Sequence, residues 1–155
     1  MALLDTSRIS SFVLVDAVGI EVEGHPIADF FSLTPRQVAE LSYHDPDRFG
    51  IDPSKLSPEA SKLMAGNRAT LAVYGGTMNE AGLDDRLAGA KTPTLVVWGD
   101  SDRIADPDYG RAFAKAIPGA HFQLLRDTGH LPQIEPPGQL LDAVSAFVER
   151  QAPLQ

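Results

Sequence analysis

A glycine–histidine pair lies in the stretch TGHLP, residues 128–132, just after the apolar run HFQLL. A second polar loop, GDSDRIADP at residues 99–107, follows the apolar run TLVVW. Asp102 lies four residues after TLVVW, and His130 lies five residues after HFQLL. Because neighbouring parallel strands end at the same edge of a sheet, we expect the carboxylate and the imidazole to meet there. Such a carboxylate holds the ring in one tautomer and stabilises the imidazolium formed when the ring accepts a proton. The spacing therefore predicts a histidine base oriented by an aspartate.

Three short apolar runs are predicted to form the sheet that positions this pair, at about residues 12–16, 94–98 and 121–126. The first two are almost continuously apolar, as expected of parallel strands buried on both faces, whereas the third alternates less clearly and is expected nearer an edge. Asp106 and Pro107 are typical of a helix start, and a helix from there to residues 118–119 links the second strand to the third. The pattern predicts an α/β fold with parallel strands and flanking helices.

The remaining segments are predicted to be helical. A final helix is expected to begin at Pro136 and Pro137, with apolar residues repeating on one face. Residues 19–90 lack a clear strand and contain several helix starts: a capping box at 34–37, a cap at 57–59 before a helix ending at 74–76, and a short helix near 83–87. We interpret residues 19–90 as a helical cap over the end of the sheet. Residues 1–18 and 91–150 then form the core, and 151–155 a flexible tail.

Two long stretches, PTLVVWGDSDRIADP and IPGAHFQLLRDTGHLPQIEPPGQLLDAVSAFV, resemble the C-terminal part of α/β-hydrolase fold enzymes. The resemblance implies that Asp102, in a Gly-x-x-Asp turn, is the acid of a catalytic triad and that His130, in a Gly-His pair, is the general base. It also implies that the first strand is the family's sixth and that residues 19–90 are its mobile cap. The Glu-Pro-Pro at 135–137 matches the usual start of the family's final helix. The chain is therefore expected to form a partial α/β-hydrolase fold.

Two other aspartates are candidates for the acid. Asp100 directly follows Gly99, a position that also suits a turn or contact with solvent. Asp16 follows the first strand, where some members of the family carry the acid, although an aspartate at a strand end also binds neighbouring backbone amides. Asp102 is favoured because it matches the family's turn, and Asp16 is the alternative acid.

The nucleophile that such an enzyme requires is not found in this chain. The family carries it on a sharp turn of pattern G-x-S-x-G, and none of the ten serines has glycine at both flanking positions. Ser101 alone has the first glycine, but it lies within the acid turn. We therefore expect the 155 residues to be the C-terminal half of such an enzyme, beginning just after the nucleophile, and to be almost inactive alone. The nucleophile is expected to be serine, or aspartate if its turn reads G-x-D-x-G.

Two functions are consistent with these features. The first is hydrolysis of a small organic substrate with an ester-like bond, by His130 and Asp102 together with a nucleophile from outside the chain. The alternative is a truncated, non-catalytic half-fold that acts as an interaction or self-associating module. In either case the exposed strand 12–16 is expected to pair with a second copy or with an N-terminal half. Four aromatic residues either line a substrate pocket or belong to the core: Trp98, Phe30, Phe31 and Tyr74.

Composition and charge exclude several other classes of protein. The net charge is -8, from 21 acidic and 13 basic residues, which disfavours nucleic acid and anionic lipid as partners. There is no cysteine, and His25 and His44 lack metal-ligand spacing, so no metal site is expected. The glycines at 75–76 lack a nucleotide-binding pattern, and no cofactor is expected. No apolar run approaches the roughly 20 residues of a membrane span, and the start lacks a secretory signal, so a cytoplasmic protein is predicted.

Overall fold

A computed structural model of the chain describes residues 9–75, 78–135 and 137–151. In chain order its strands are β1 (Phe12–Val15), β2 (Thr94–Gly99) and β3 (His121–Leu125). Its helices are α1 (Pro35–Ser42), α2 (Pro46–Phe49), α3 (Pro58–Gly75), α4 (Leu83–Ala88), α5 (Pro107–Lys115) and α6 (Gly138–Gln151), with one turn of 3-10 helix at Pro53–Lys55. The predicted α/β class is confirmed, with flanking helices around a parallel sheet.

The sheet has the order β1-β2-β3, and both pairs of strands are parallel. All six residues of β2 are buried, whereas β1 is half-buried throughout and β3 alternates between exposed and covered positions. The expectation of burial on both faces therefore holds for β2 and is wrong for β1, because β1 pairs only with β2 in the described part of the chain. The prediction that β3 lies at an edge is confirmed.

Helices cover the two faces of the sheet and form two separate clusters of buried side chains. On one face, α5 packs Tyr109 and Phe113 against Val96 and Trp98 of β2. On the other face, Phe147 of α6 packs against Leu95, Val97 and Leu125. The helix predicted between β2 and β3 is confirmed, since Asp106 caps α5 through the backbone N–H groups of residues 108 and 109.

The helical segment between β1 and β2 starts where local sequence signals predict. Thr34 and Gln37 form a reciprocal capping box at the start of α1, each side chain accepting from the other's backbone N–H. Pro35 at the first helical position also favours this start, because its fixed backbone angle suits the first turn. No strand occurs in the described residues between 19 and 90. α3 is 18 residues long and none of its residues is buried. Helix α4 corresponds to the short helix predicted near 83–87.

Some predictions fall on residues outside the described part of the chain. These are residues 1–8 of the predicted core, Gly76 as a helix end, Pro136 as a helix start and the tail after Gln151. The final helix is seen from Gly138 onward, later than predicted. Among the described residues, no helix combines the length and the apolar character that crossing a bilayer requires.

Candidate active site

The acid turn begins where β2 ends, and it holds Asp102 rigidly. The side chain of Asp102 is 1% exposed. Its Oδ1 accepts hydrogen bonds from the backbone N–H groups of Ile104, at 2.8 Å, and Ala105, at 3.2 Å. A Cβ atom on Gly99 would lie 2.2 Å from the backbone oxygen of Gly129, so only glycine lets the acid turn approach the histidine loop this closely. The carboxylate of Asp102 is thus fixed with its second oxygen free to bind a neighbouring group.

That second oxygen binds the predicted histidine. Oδ2 of Asp102 lies 2.8 Å from Nδ1 of His130. The ionised carboxylate only accepts hydrogen bonds, so Nδ1 carries the proton and donates it, and Nε2 remains as the acceptor of the ring. The His130 side chain as a whole is 23% exposed. The two residues that the sequence places at one sheet edge are therefore in direct contact, in the geometry of a base held by an acid.

A third ionisable side chain, Asp16, lies beside this pair. It follows β1 with a φ of 44° and is 6% exposed. Its Oδ1 accepts from the backbone N–H of Gly99 at 3.1 Å, as expected of an aspartate at a strand end. Its Oδ2 has no hydrogen-bond partner among the described residues. One polar side-chain atom each from Asp16, Asp102 and His130 lie within 4.8 Å of one another.

The proximity of these three groups could also suit a metal ion, but their hydrogen bonds use most of the ligand atoms. Both oxygens of Asp102 and Nδ1 of His130 are engaged within the protein. Only Oδ2 of Asp16 and Nε2 of His130 are left, too few for a structural site. We interpret the group as a hydrogen-bonded acid–base pair with an adjacent carboxyl.

Burial and charge shift the proton affinity of the two neighbours of Asp102. Burial, together with the negative charge of Asp102, raises the pKa of Asp16 to about 8, against the smaller lowering effects of His130 and the Gly99 N–H. Burial lowers the pKa of His130, but the hydrogen bond that its Nδ1 donates to Asp102 and the charge of Asp102 outweigh this effect, so the pKa is raised above the usual 6.5. At neutral pH Asp16 is therefore mostly protonated, and its neutral carboxyl lies beside the pair formed by Asp102 and His130.

The other candidate acid, Asp100, lies on the exposed side of the same turn. Its Oδ1 accepts from the Ser101 hydroxyl at 2.9 Å and from the Thr128 N–H at 3.4 Å. The Ser101 hydroxyl is also 2.8 Å from Nδ1 of His44. These contacts suit the turn-forming role that the sequence left open for Asp100.

An apolar cavity of about 630 Å³ lies next to the histidine loop, between α1 and α3. Most of its walls are aliphatic side chains, among them Leu33, Val38, Ile51, Met64, Leu71 and Leu131. Leu131 directly follows His130, so the cavity reaches the residue beside the base.

Of the four aromatic residues considered for a pocket, the structure places one in this cavity. Phe30 lines it, and Phe31 packs on Phe30 with ring centroids 4.4 Å apart. Trp98 is a core residue: it is fully buried and its Nε1 donates to the backbone oxygen of Ala105. Tyr74 is 85% exposed near the end of α3 and lies outside the cavity.

Two residues near the site were not singled out by the sequence. Arg68 of α3 donates to the backbone oxygens of Phe30, Phe31 and Leu33, at 2.7 to 2.9 Å, and so supports one wall of the cavity. Glu135 is 1% exposed and binds the histidine loop. The sequence related Glu135 only to the start of the final helix, and no local pattern indicated that its carboxylate would be buried against the histidine loop. For Arg68 no local signal distinguishes it from other helix cations.

Known proteins resemble this chain in both sequence and structure. Lipase 1 of Psychrobacter immobilis is 41% identical over 61 residues, which cover 39% of this chain and 19% of the lipase. The 2-hydroxy-6-oxononadienedioate/2-hydroxy-6-oxononatrienedioate hydrolase of Escherichia coli K12 is 37% identical over 65 residues, which cover 42% of this chain and 23% of that enzyme. The matched segments therefore span about a fifth of the length of these curated relatives.

The solved structure of a thermophilic esterase from Thermogutta terrifontis aligns with a TM-score of 0.65 and 19% identity. The alignment covers 97% of this chain and 61% of the esterase, and at this identity it supports the fold alone. A family model described as the alpha/beta hydrolase fold matches residues 1–137, which is well over half of the chain. The order of the strands, the contact between Asp102 and His130 and this match lead to one conclusion: the chain belongs to the α/β-hydrolase fold family.

Proposed function

We propose that this chain carries the acid–base half of a hydrolase that cleaves an ester-like bond in a small organic substrate. His130 is the general base: through Nε2 it takes the proton of the nucleophile and gives it to the leaving group, then takes a proton from water and returns it to the nucleophile. Asp102 holds the ring and stabilises its charged form throughout. The observation that carries the proposal is the 2.8 Å contact between Nδ1 of His130 and a buried Asp102 that two backbone amides already fix.

The identity of the acid is tested by titrating His130 with NMR. Asp102→Asn removes the charged acceptor of the Nδ1 proton, so burial dominates and the pKa of His130 is expected to fall below its wild-type value. Asp100→Asn removes a carboxylate from the same turn and is expected to leave the pKa of His130 unchanged. If Asp100→Asn lowers the pKa and Asp102→Asn does not, the acid has been assigned to the wrong residue.

We further propose that the nucleophile is not one of the ten serines of this chain. The 155 residues alone are then expected to turn over p-nitrophenyl acetate no faster than His130→Ala does. Measurable turnover that is lost in His130→Ala would place the nucleophile within the chain. Translating the DNA upstream of Met1 in frame is the complementary test. A G-x-S-x-G about ten residues upstream supports the proposed hydrolase, and a G-x-D-x-G elbow indicates an aspartate nucleophile. A stop codon there contradicts the proposed hydrolase.

The substrate class is proposed from the cavity and from the relatives. A cavity of about 630 Å³ with aliphatic walls suits a largely apolar acyl group, and the relatives include a lipase and a hydrolase of an unsaturated dicarboxylate. We propose that the acyl part of the substrate binds there, under the cap formed by residues 19–90.

Binding of octanoate, measured by calorimetry, tests this assignment. Ala65→Phe places a ring at the cavity wall from an exposed position on α3 and is expected to weaken binding several-fold. Ala69→Phe adds the same ring to the same helix outside the cavity lining and serves as the matched control. Equal binding by both variants would exclude the cavity as the acyl site.

A second candidate function is self-association through β1, favoured by the half-buried state of this strand and its single neighbour in the described sheet. An open strand edge is a template for pairing with another chain. We propose that β1 pairs with a second copy or with a separate N-terminal half. A monodisperse monomer in light scattering of the chain alone, without detergent, would contradict the self-associating form.

A further inference from the structure

Glu135 is a buried acidic residue that the proposed chemistry does not use. It lies five residues after His130, ahead of α6, and its side chain is 1% exposed. Burying a carboxylate is costly unless hydrogen bonds replace the water that it loses. The bonds that Glu135 makes therefore indicate what it is there to hold.

These bonds come from backbone N–H groups of two segments that are far apart in sequence. Oε1 of Glu135 accepts from His44 at 2.9 Å and from Asp45 at 3.4 Å, and Oε2 accepts from Gly129. His44 and Asp45 lie between α1 and α2, whereas Gly129 directly precedes His130. Because all three groups are donors, they match an ionised carboxylate, which only accepts. One side chain thus bridges the cap and the histidine loop.

Direct contacts between the same segments leave little room for them to move independently. The backbone N–H of His130 donates to the oxygen of Ser42 at 2.7 Å. A Cβ on Gly129 would lie 2.2 Å from that same oxygen, so the loop packs on the end of α1 at a distance that only glycine permits. On the acid side, the N–H of Arg103 donates to the oxygen of Leu41 at 3.0 Å. The end of α1 therefore meets both the acid turn and the histidine loop.

We propose that Glu135 is a positioning residue that couples the cap to the general base, holding the loop of His130 so that its ring stays on Asp102. Release of residues 44 and 45 frees the carboxylate and, with it, the backbone that carries His130. Movement of the cap then controls whether the base is in place. Its meaning for catalysis rests on the proposed function, but the coupling itself is a property of this chain and needs no turnover to be measured.

NMR of the intact, ¹⁵N-labelled chain tests the coupling. Glu135→Gln keeps the size of the side chain but replaces one acceptor oxygen by a donor, so at least one of the three N–H groups loses its partner. We expect the amides of Gly129 and His44 to exchange with solvent roughly tenfold faster, as for loss of one hydrogen bond to a charged group. We also expect the Nδ1 proton signal of His130 to broaden and its pKa to fall. Glu149→Gln removes an exposed carboxylate from α6 and is the matched control, expected to change neither.

The result that overturns the proposal is specific. If Glu135→Gln speeds exchange at Gly129 while the Nδ1 signal and the pKa of His130 stay as in the wild type, Glu135 stabilises the loop without positioning the base.

If the variant fails to fold, native-state hydrogen exchange of the wild-type chain tests the coupling instead. A shared carboxylate predicts that the amides of His44, Asp45 and Gly129 open with the same dependence on denaturant, and separate openings refute the coupling. Because neither readout is activity, failure of the coupling and failure of the proposed hydrolase remain distinguishable.

Discussion

Asp16 carries the sharpest prediction, because it is a buried carboxyl that stays protonated at neutral pH. In the folded chain its pKa is raised from 3.8 to about 8 by burial and by the charge of Asp102. Once the chain unfolds, the carboxyl is free to ionise above pH 3.8. Between these two values the unfolded state binds fewer protons than the folded state, so the free energy of unfolding falls as the pH rises. The stabilising contribution of protonated Asp16 is thus complete below pH 3.8 and is lost progressively up to about pH 8.

Asp16→Asn removes this dependence, since the amide cannot ionise while its oxygen can still accept from the Gly99 N–H. Each pH unit between the two pKa values corresponds to about 1.4 kcal/mol. From pH 5 to pH 7 the free energy of unfolding of Asp16→Asn, relative to the wild type, is therefore expected to rise by about 3 kcal/mol. This is a large part of the about 5 to 15 kcal/mol that stabilises an ordinary domain.

The assay is urea unfolding at pH 5, 6 and 7, followed by the fluorescence of Trp98, the single tryptophan, whose side chain is fully buried. Asp142→Asn removes an exposed carboxylate on α6 and serves as the control. A difference between Asp16→Asn and the wild type that is the same at all three pH values would refute the reasoning. It would mean that Asp16 is ionised in the folded chain and that its second oxygen has a partner.

Two further predictions concern packing and a second carboxylate–histidine contact. Gly110→Ala places a Cβ 2.3 Å from the ring of Trp98, which is buried and cannot yield, so it is expected to cost about 1 to 3 kcal/mol of stability or more. Gly138→Ala, whose Cβ meets nothing within 4 Å, is the control, and equal urea midpoints for the two variants would contradict the packing. His25, whose Nδ1 lies 2.8 Å from Oδ2 of Asp106, has a raised pKa because of that hydrogen bond. The contact between His25 and Asp106 stabilises the fold below pH 6.5, and this effect is lost as the pH rises through the raised pKa. His25→Gln should therefore lower the melting temperature at pH 6 and not at pH 9. An equal loss at both pH values would contradict a stabilising ion pair.

The local features of the fold could be predicted because neighbouring residues produce them. Asp106 with Pro107 starts α5, and Thr34 with Gln37 starts α1, since each cap acts within a single turn of backbone. The apolar run at β2 predicts a buried central strand for the same reason. For β1 the apolar pattern alone was misleading: its residues are as apolar as those of β2, yet the strand is only half-buried. It lies at an edge of the described sheet, as the resemblance to the family implied, and burial there depends on packing between distant segments.

The sequence by itself determined that Asp102 and His130 lie at one edge of the sheet, because residue types and their spacing after two parallel strands place them there. Only the tertiary structure decided the surroundings of that pair. Asp16 became a protonated neighbour because burial beside another carboxylate penalises its charge. Glu135 became a link between loops because its three donors come from two segments that are far apart in sequence. Likewise Trp98 entered the core while Phe30 reached the cavity. Desolvation and long-range hydrogen bonds depend on what surrounds a side chain after folding, and no local pattern of residues carries that information.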